Sequence, residues 1–125
     1  MIMPATCPFC SPPDSVIVIQ NGLCYARKDR FPVATGHMLV IPFRHEPDFF
    51  SLTFDEKCAI MALAAECRQV IERTEKPAGY NIGFNIGAVA GQSVMHSHCH
   101  IIPRYKGDTE NPRRGVRGVI LERRD

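Results

Sequence analysis

Three histidines occupy alternate positions in the run Met95-His96-Ser97-His98-Cys99-His100-Ile101-Ile102-Pro103. If the run is a strand, alternate side chains share a face, and the imidazoles line up with roughly 6.5–7 Å between successive residues. Ser97, Cys99 and Ile101 then point the other way, toward whatever covers the sheet. Such a row has three uses. Each ring can be a core group bonded to backbone, or all three can bind one metal ion. They can also divide the labour of phosphate chemistry, because an imidazole is neutral and nucleophilic near pH 7 and, once protonated, donates to phosphate oxygens. Spacing alone leaves these open. No carboxylate lies in the run, so a two-carboxylate acid/base mechanism has nothing to act with. A second pattern, Cys7-Pro8-Phe9-Cys10, has metal-ligand spacing, but by itself it reads first as free thiols or a redox pair.

The elements that must position these residues follow from local signals. Residues 1–15 are rich in proline and small residues and read as a loop. Val16–Gln20 and Leu23–Lys28 flank Asn21-Gly22, a strong turn dipeptide, and predict a hairpin. Gly36–Pro42 predicts another strand, ended by proline. A helix is expected from about Phe54 to Thr74. Thr53 and Glu56 form a capping box, and Ala59, Ile60, Leu63, Cys67, Val70 and Ile71 recur at helical spacing as a core or interface face. Tyr80–Ile86 and Ser97–Pro103 predict two further strands, joined through the glycine-bearing stretch Gly87–Gln92. The sum is an α+β chain: an antiparallel sheet of about five strands, one long helix and a short second helix.

At 125 residues the chain has room for one domain, expected over 1–125, and an apolar content of 45% supplies an ordinary core. A net charge of +2 makes no case for nucleic acid or membrane. From Arg104 onward seven basic residues face four acidic ones. That basic segment, about 104–125, suits an anionic substrate as well as it suits a solvated tail. No long apolar run is present and no export signal is read, so a cytoplasmic protein is expected, with its six cysteines as thiols or ligands.

The segment Gly91-Gln92-Ser93-Val94-Met95-His96-Ser97-His98-Cys99-His100 resembles the signature of the histidine-triad (HIT) superfamily. Gly36-His37-Met38-Leu39-Val40-Ile41-Pro42 resembles the family's upstream glycine–histidine strand, and Asn85 stands at the expected distance before Gly91-Gln92-Ser93. The closing Pro103–Asp108 and Asn111–Arg117 are similar to short bacterial members of the diadenosine polyphosphate hydrolase type. Ser97 and Cys99 are smaller and more polar than the family's usual aliphatics, and Arg114 replaces a common glycine.

The resemblance implies a HIT-like fold and a nucleotide hydrolase or nucleotidyl transferase acting at the α-phosphate, on a purine nucleotide. His98 would be the nucleophile, forming a nucleotidyl-histidine that water resolves. His100 would contact the transferred phosphate, His37 would support the triad, and Ser93, Gln92 and Asn85 would bind phosphate oxygens or the leaving group. A nonpolar nucleoside pocket is sought among Phe9, Ile19 and Phe31. The resemblance also implies a structural zinc on Cys7, Cys10, His45 and His96, no organic cofactor, and a homodimer, toward which Ile60, Met61 and Leu63–Ala65 offer apolar surface. The alternatives are a nucleotide-binding adaptor with little turnover and a zinc-dependent hydrolase whose three triad histidines all ligate the metal.

Overall fold

The computed structural model describes residues 6–121. The outermost parts of the expected N-terminal loop (1–5) and basic tail (122–125) lie outside the described residues. Five strands form one antiparallel sheet: β1 (Ile19–Gln20), β2 (Cys24–Lys28), β3 (Met38–Pro42), β4 (Gly79–Gly83) and β5 (Cys99–Arg104). Their order across the sheet is β1-β2-β3-β5-β4. Among the described residues a single α-helix, α1 (Phe54–Ile71), packs on one face. The α+β architecture is the one expected.

Local chemistry sets the hairpin and the helix. Asn21 Oδ1 accepts from the amides of Leu23 and Cys24 (3.1 and 3.0 Å), while its Nδ2 donates to Ala59 O (2.9 Å), fastening the turn to the helix. Strand β1 is shorter than the β-branched run Val16–Gln20 predicts. The amides of Val16 and Ile17 bond back to Pro13 O and Asp14 O, so a proline-initiated turn consumes the first part of the run. Helix α1 opens on the predicted box, in which Glu56 N–H donates to Thr53 Oγ1 (3.0 Å) and Thr53 N–H to Glu56 Oε1 (2.8 Å). It ends three residues before Thr74, where the chain relaxes into a turn ahead of Pro77. The expected short second helix is replaced, among the described residues, by separate 3-10 turns of three or four residues, such as Phe49–Ser51 and Val116–Val119. Such runs are too short to propagate α-helical bonding.

The two sheet faces have separate cores. Met38 and Val40 of β3 and Cys99 and Ile101 of β5 meet Ile60, Leu63, Cys67 and Ile71 beneath the helix. On the other face Leu39 and Ile41 pack with Tyr25 and Phe9, so the N-terminal segment covers the sheet there. Each such buried side chain contributes about 1.5–3 kcal/mol relative to exposure. Gly36 enters β3 with φ +90°, and a Cβ there would sit 3.3 Å from Ile71 Cγ2 and 3.4 Å from Pro103 Cγ. Backbone conformation and helix–sheet contact both require glycine.

Strand β5 begins at Cys99, two residues later than predicted, so His96 and His98 precede the ladder and only His100 lies in it. Pro42 has no amide to continue pairing from β3. Its carbonyl instead accepts from His96 Nε2 (2.8 Å), while Ser97 N–H goes to Glu46 O (2.8 Å). The triad thus straddles the point where a strand becomes a bend.

Candidate active site and metal centre

His98 is buried, 7% exposed, with its ring 5.2 Å from that of His100 and edge-on to Phe9 at 5.0 Å. Its Nδ1 lies 2.8 Å from the carbonyl oxygen of His96. A carbonyl only accepts, so Nδ1 carries the proton and Nε2 holds the lone pair. Burial lowers the His98 pKa below the ordinary histidine value, against the opposing pull of the His96 carbonyl and Asp29. The result is a neutral imidazole with a defined nucleophilic nitrogen.

The neighbouring pair has its tautomers fixed in the same way. Val33 N–H donates to His37 Nδ1 (3.2 Å), which places the His37 proton on Nε2. That nitrogen lies 3.0 Å from His100 Nδ1 and 3.2 Å from Asp29 Oδ2. His100 Nδ1 therefore accepts, and its Nε2–H is the free donor beside His98. Burial, then His98 and His37, bring the His100 pKa down to about 4, so the ring is neutral at pH 7. Asp29, His37 and His100 sit close enough together to hold a metal. However, the Val33 amide occupies the His37 nitrogen that would have to carry the proton, so Nε2 offers a hydrogen and not a lone pair.

Asp29 is a site residue that sequence reasoning missed. The β2–β3 register pairs Lys28 with Met38, and one step further it sets Asp29 opposite His37. Asp29 N–H also bonds His37 O (3.0 Å). Projecting that register was the only available signal.

The loop before the triad separates the expected phosphate contacts. Ser93 is exposed and its hydroxyl has no hydrogen bond among the described residues, and Asn85 is exposed beside Gly91. Gln92 is bonded to the loop itself. It is buried, its Oε1 accepts from Gly87 N–H (2.8 Å), and its Nε2 donates to Pro47 O and Val94 O (2.8 and 3.2 Å). With both amide hydrogens on backbone carbonyls, Gln92 braces the loop and has no donor left for a phosphate. Of the residues sought for a nucleoside pocket, Phe9 lies against His98, Phe31 is exposed beyond Asp29, and Ile19 packs on the helix side, away from the triad.

Cys7, Cys10, His45 and His96 converge as expected. His96 donates from Nε2 to Pro42 O, so its Nδ1 lone pair faces Cys7 Sγ (3.4 Å), Cys10 Sγ (3.5 Å) and His45 Nδ1 (3.2 Å). Cys10 Sγ lies 3.3 Å from His45 Nδ1. A tetrahedral zinc with bonds of about 2.0–2.1 Å to nitrogen and 2.3 Å to sulfur sets nitrogen–nitrogen and nitrogen–sulfur ligand pairs about 3.3–3.6 Å apart, and these separations lie within about 0.3 Å of that spacing. The donor chemistry agrees. Burial, and then neighbouring Cys7, push the Cys10 thiol up to about 11, so a cation is what would hold that sulfur as a thiolate. The three triad rings do not share one metal point. His96 Nδ1 faces the cysteines, His98 Nδ1 a carbonyl, and His100 Nδ1 faces His37, which removes the basis for a triad-ligated metal.

A histidine row whose central ring is primed at one nitrogen, on a five-stranded sheet backed by one helix, defines a class, and comparison with known proteins agrees. A family profile described as the HIT domain matches residues 12–107, and the chain belongs to that family. It is 34% identical over 102 residues to the AP-4-A phosphorylase of Mycobacterium tuberculosis, covering 81% of this chain and 52% of that protein. It is 38% identical over 97 residues to the asymmetrical bis(5'-nucleosyl)-tetraphosphatase of Schizosaccharomyces pombe, covering 78% and 53% respectively. The chain thus spans about half the length of these curated relatives. A Zn-bound histidine triad family protein from Mycobacterium smegmatis superposes with a TM-score of 0.70 at 25% identity, covering 86% of this chain and 84% of that one. Among the described residues no helix is long and apolar enough to cross a membrane.

Proposed function

We propose that this chain is a nucleotide hydrolase or nucleotidyl transferase working through a covalent intermediate on His98. The observation that carries the reading is the 2.8 Å contact between His98 Nδ1 and His96 O, which leaves Nε2 as the nucleophile. The Nε2 lone pair forms a bond to the α-phosphorus while the bond to the leaving group breaks, and its electron pair departs with that group. His100 Nε2–H would donate to the atom receiving the pair, and the exposed Ser93 and Asn85 side chains would donate to phosphate oxygens. Water then attacks phosphorus and gives up a proton to solvent, the N–P bond breaks, and nucleoside monophosphate leaves with the His98 lone pair restored. The dinucleoside polyphosphate chemistry of the two named relatives supports this class of substrate.

The Cys7, Cys10, His45 and His96 set is read as a closed structural zinc site, supported by the zinc-bound neighbour. Zinc there would supply no chemistry to the reaction. It would anchor the N-terminal segment to His96 and so hold the carbonyl that orients His98. A homodimer is proposed through the β4 edge. Met61 (49% exposed) and Ile82 (48% exposed) lie beside that edge, whereas Ile60, Leu63 and Ala64, expected to offer surface, are buried in the chain's own core. Light scattering on wild type and Ile82→Lys reads the oligomeric state, and a monomeric wild type removes the proposal.

The test of the activity is AMP release from adenosine phosphoramidate and diadenosine tetraphosphate, with alkaline trapping of a nucleotidyl adduct. Release without any adduct at His98 overturns the covalent route, and nucleotide binding without release points to an adaptor.

A further inference from the structure

Glu56, 5% exposed, is the one carboxylate buried among the described residues, and it has no part in the nucleotidyl transfer proposed above. Its place as the third residue of α1 does not call for a charge, because glutamine closes a capping box as well as glutamate does. A buried carboxylate needs a partner of opposite charge. Here the partner is Arg44, on the segment that follows β3. Arg44 Nε donates to Glu56 Oε2 (3.0 Å) and Nη2 to Oε1 (2.8 Å), a two-bond fork. The same guanidinium donates from Nη2 to Ser51 O (3.3 Å), and its Nη1 lies 3.5 Å from Glu46 Oε1.

The fork holds the stretch on which the triad loop rests. Phe43 N–H bonds Leu23 O (2.9 Å), and beyond it residues 44–47 leave the sheet. Three carbonyls around this exit then receive the loop. Pro42 O accepts from His96 Nε2, Glu46 O from Ser97 N–H and Pro47 O from Gln92 Nε2, each at 2.8 Å. A shift of residues 42–47 therefore moves His96, whose carbonyl puts the His98 proton on Nδ1. We propose that Glu56, acting through Arg44, is a positioning residue for His98: the start of α1 sets where residues 42–47 stand, and that stretch aims the His96 carbonyl. The consequence for turnover rests on the nucleotidyl-transfer reading, whereas the consequence for the His98 ring does not.

Three variants separate positioning from helix stability. Glu56→Gln keeps the capping box but cannot accept both bonds of the fork, and Arg44→Lys keeps the charge without the fork. Thr53→Ala removes the hydroxyl that accepts from Glu56 N–H and leaves Arg44 and Glu56 in place. Ring-nitrogen NMR near neutral pH reads the His98 tautomer. Single-turnover AMP release from adenosine phosphoramidate and diadenosine tetraphosphate reads the chemical step. Glu56→Gln and Arg44→Lys should each populate the Nε2–H form of His98 and slow that step at least about tenfold, with half-saturation moved less than about threefold. Combining them should add little, because the two residues act as one unit. Thr53→Ala should lower the melting temperature and leave tautomer and rate near wild type. Should Glu56→Gln fail to fold, Arg44→Lys carries the test, since the Arg44 side chain is 44% exposed. A His98 tautomer unchanged in either folded variant overturns the inference. So does a Thr53→Ala protein that shifts the tautomer as far as Glu56→Gln does, because the helix start and not the fork then governs His98. If the wild type splits neither compound, the nucleotidyl-transfer reading falls, while the tautomer still judges the fork.

Discussion

The carbonyl oxygen that fixes the His98 proton belongs to His96, whose own side chain faces Cys7, Cys10 and His45. One residue therefore lines the proposed metal site with its ring and orients the proposed nucleophile with its backbone, and the two sites should fail together.

On the proposed covalent route, replacing His98 removes the intermediate but little of the binding surface. His98→Ala should lower kcat by at least about 10³-fold, the scale seen when a nucleophile is deleted, with nucleotide affinity largely kept. Single-turnover AMP release and calorimetry separate the two quantities.

Metal removal should act at a distance. Purified protein is expected to carry about one zinc per chain, read by elemental analysis. Cys7→Ser or strong chelation should lower the melting temperature and also broaden the His98 imidazole NMR signals, because the His96 carbonyl is no longer held. Normal His98 signals in metal-free protein would separate the two sites.

Asp29 should matter without touching the nucleophile. Asp29→Asn keeps the shape but weakens the acceptor at 3.2 Å from His37 Nε2. A loss of about 10–100-fold in kcat/KM is expected from misorienting the His37–His100 pair, with a melting temperature near wild type. An unchanged kcat/KM would make Asp29 a bystander.

Stability should fall in acid through His100. Its pKa is lowered to about 4 in the folded chain, against about 6.5 when unfolded. Between those values the unfolded state takes up a proton that the folded state does not, so stability present above about pH 6.5 is lost as the pH falls toward 4. Urea titrations across this window should show that slope, and His100→Gln should make it shallower, the remainder including His37 and His98, whose pKa values burial also lowers.

Features set by near neighbours in the chain were legible in advance. The capping box at Thr53 and Glu56, the Asn21-Gly22 hairpin and the alternation at His96, His98 and His100 each depend on residues a few positions apart. Hydrogen-bond direction was not legible. Gln92 looks like a phosphate ligand by type and position, yet its amide is spent on Pro47 and Val94. Asp29 became visible only with the β2–β3 register. The late start of β5 required knowing that Pro42 would give its carbonyl to His96. The Arg104–Asp108–Asn81 cluster joins a strand end, a turn and a second strand, which no local pattern brings together.

Cys7 and His96 meet across 89 residues. At about 5–20 residues per second, a ribosome delivers the cysteine pair roughly 5–20 seconds before its histidine partner. The carbonyl that primes His98 cannot settle until that late partner arrives and the sheet closes over it. On the nucleotidyl-transfer reading, a nascent chain holding only the early residues would lack the triad, and any reactivity toward nucleotides would begin only after synthesis has passed His100.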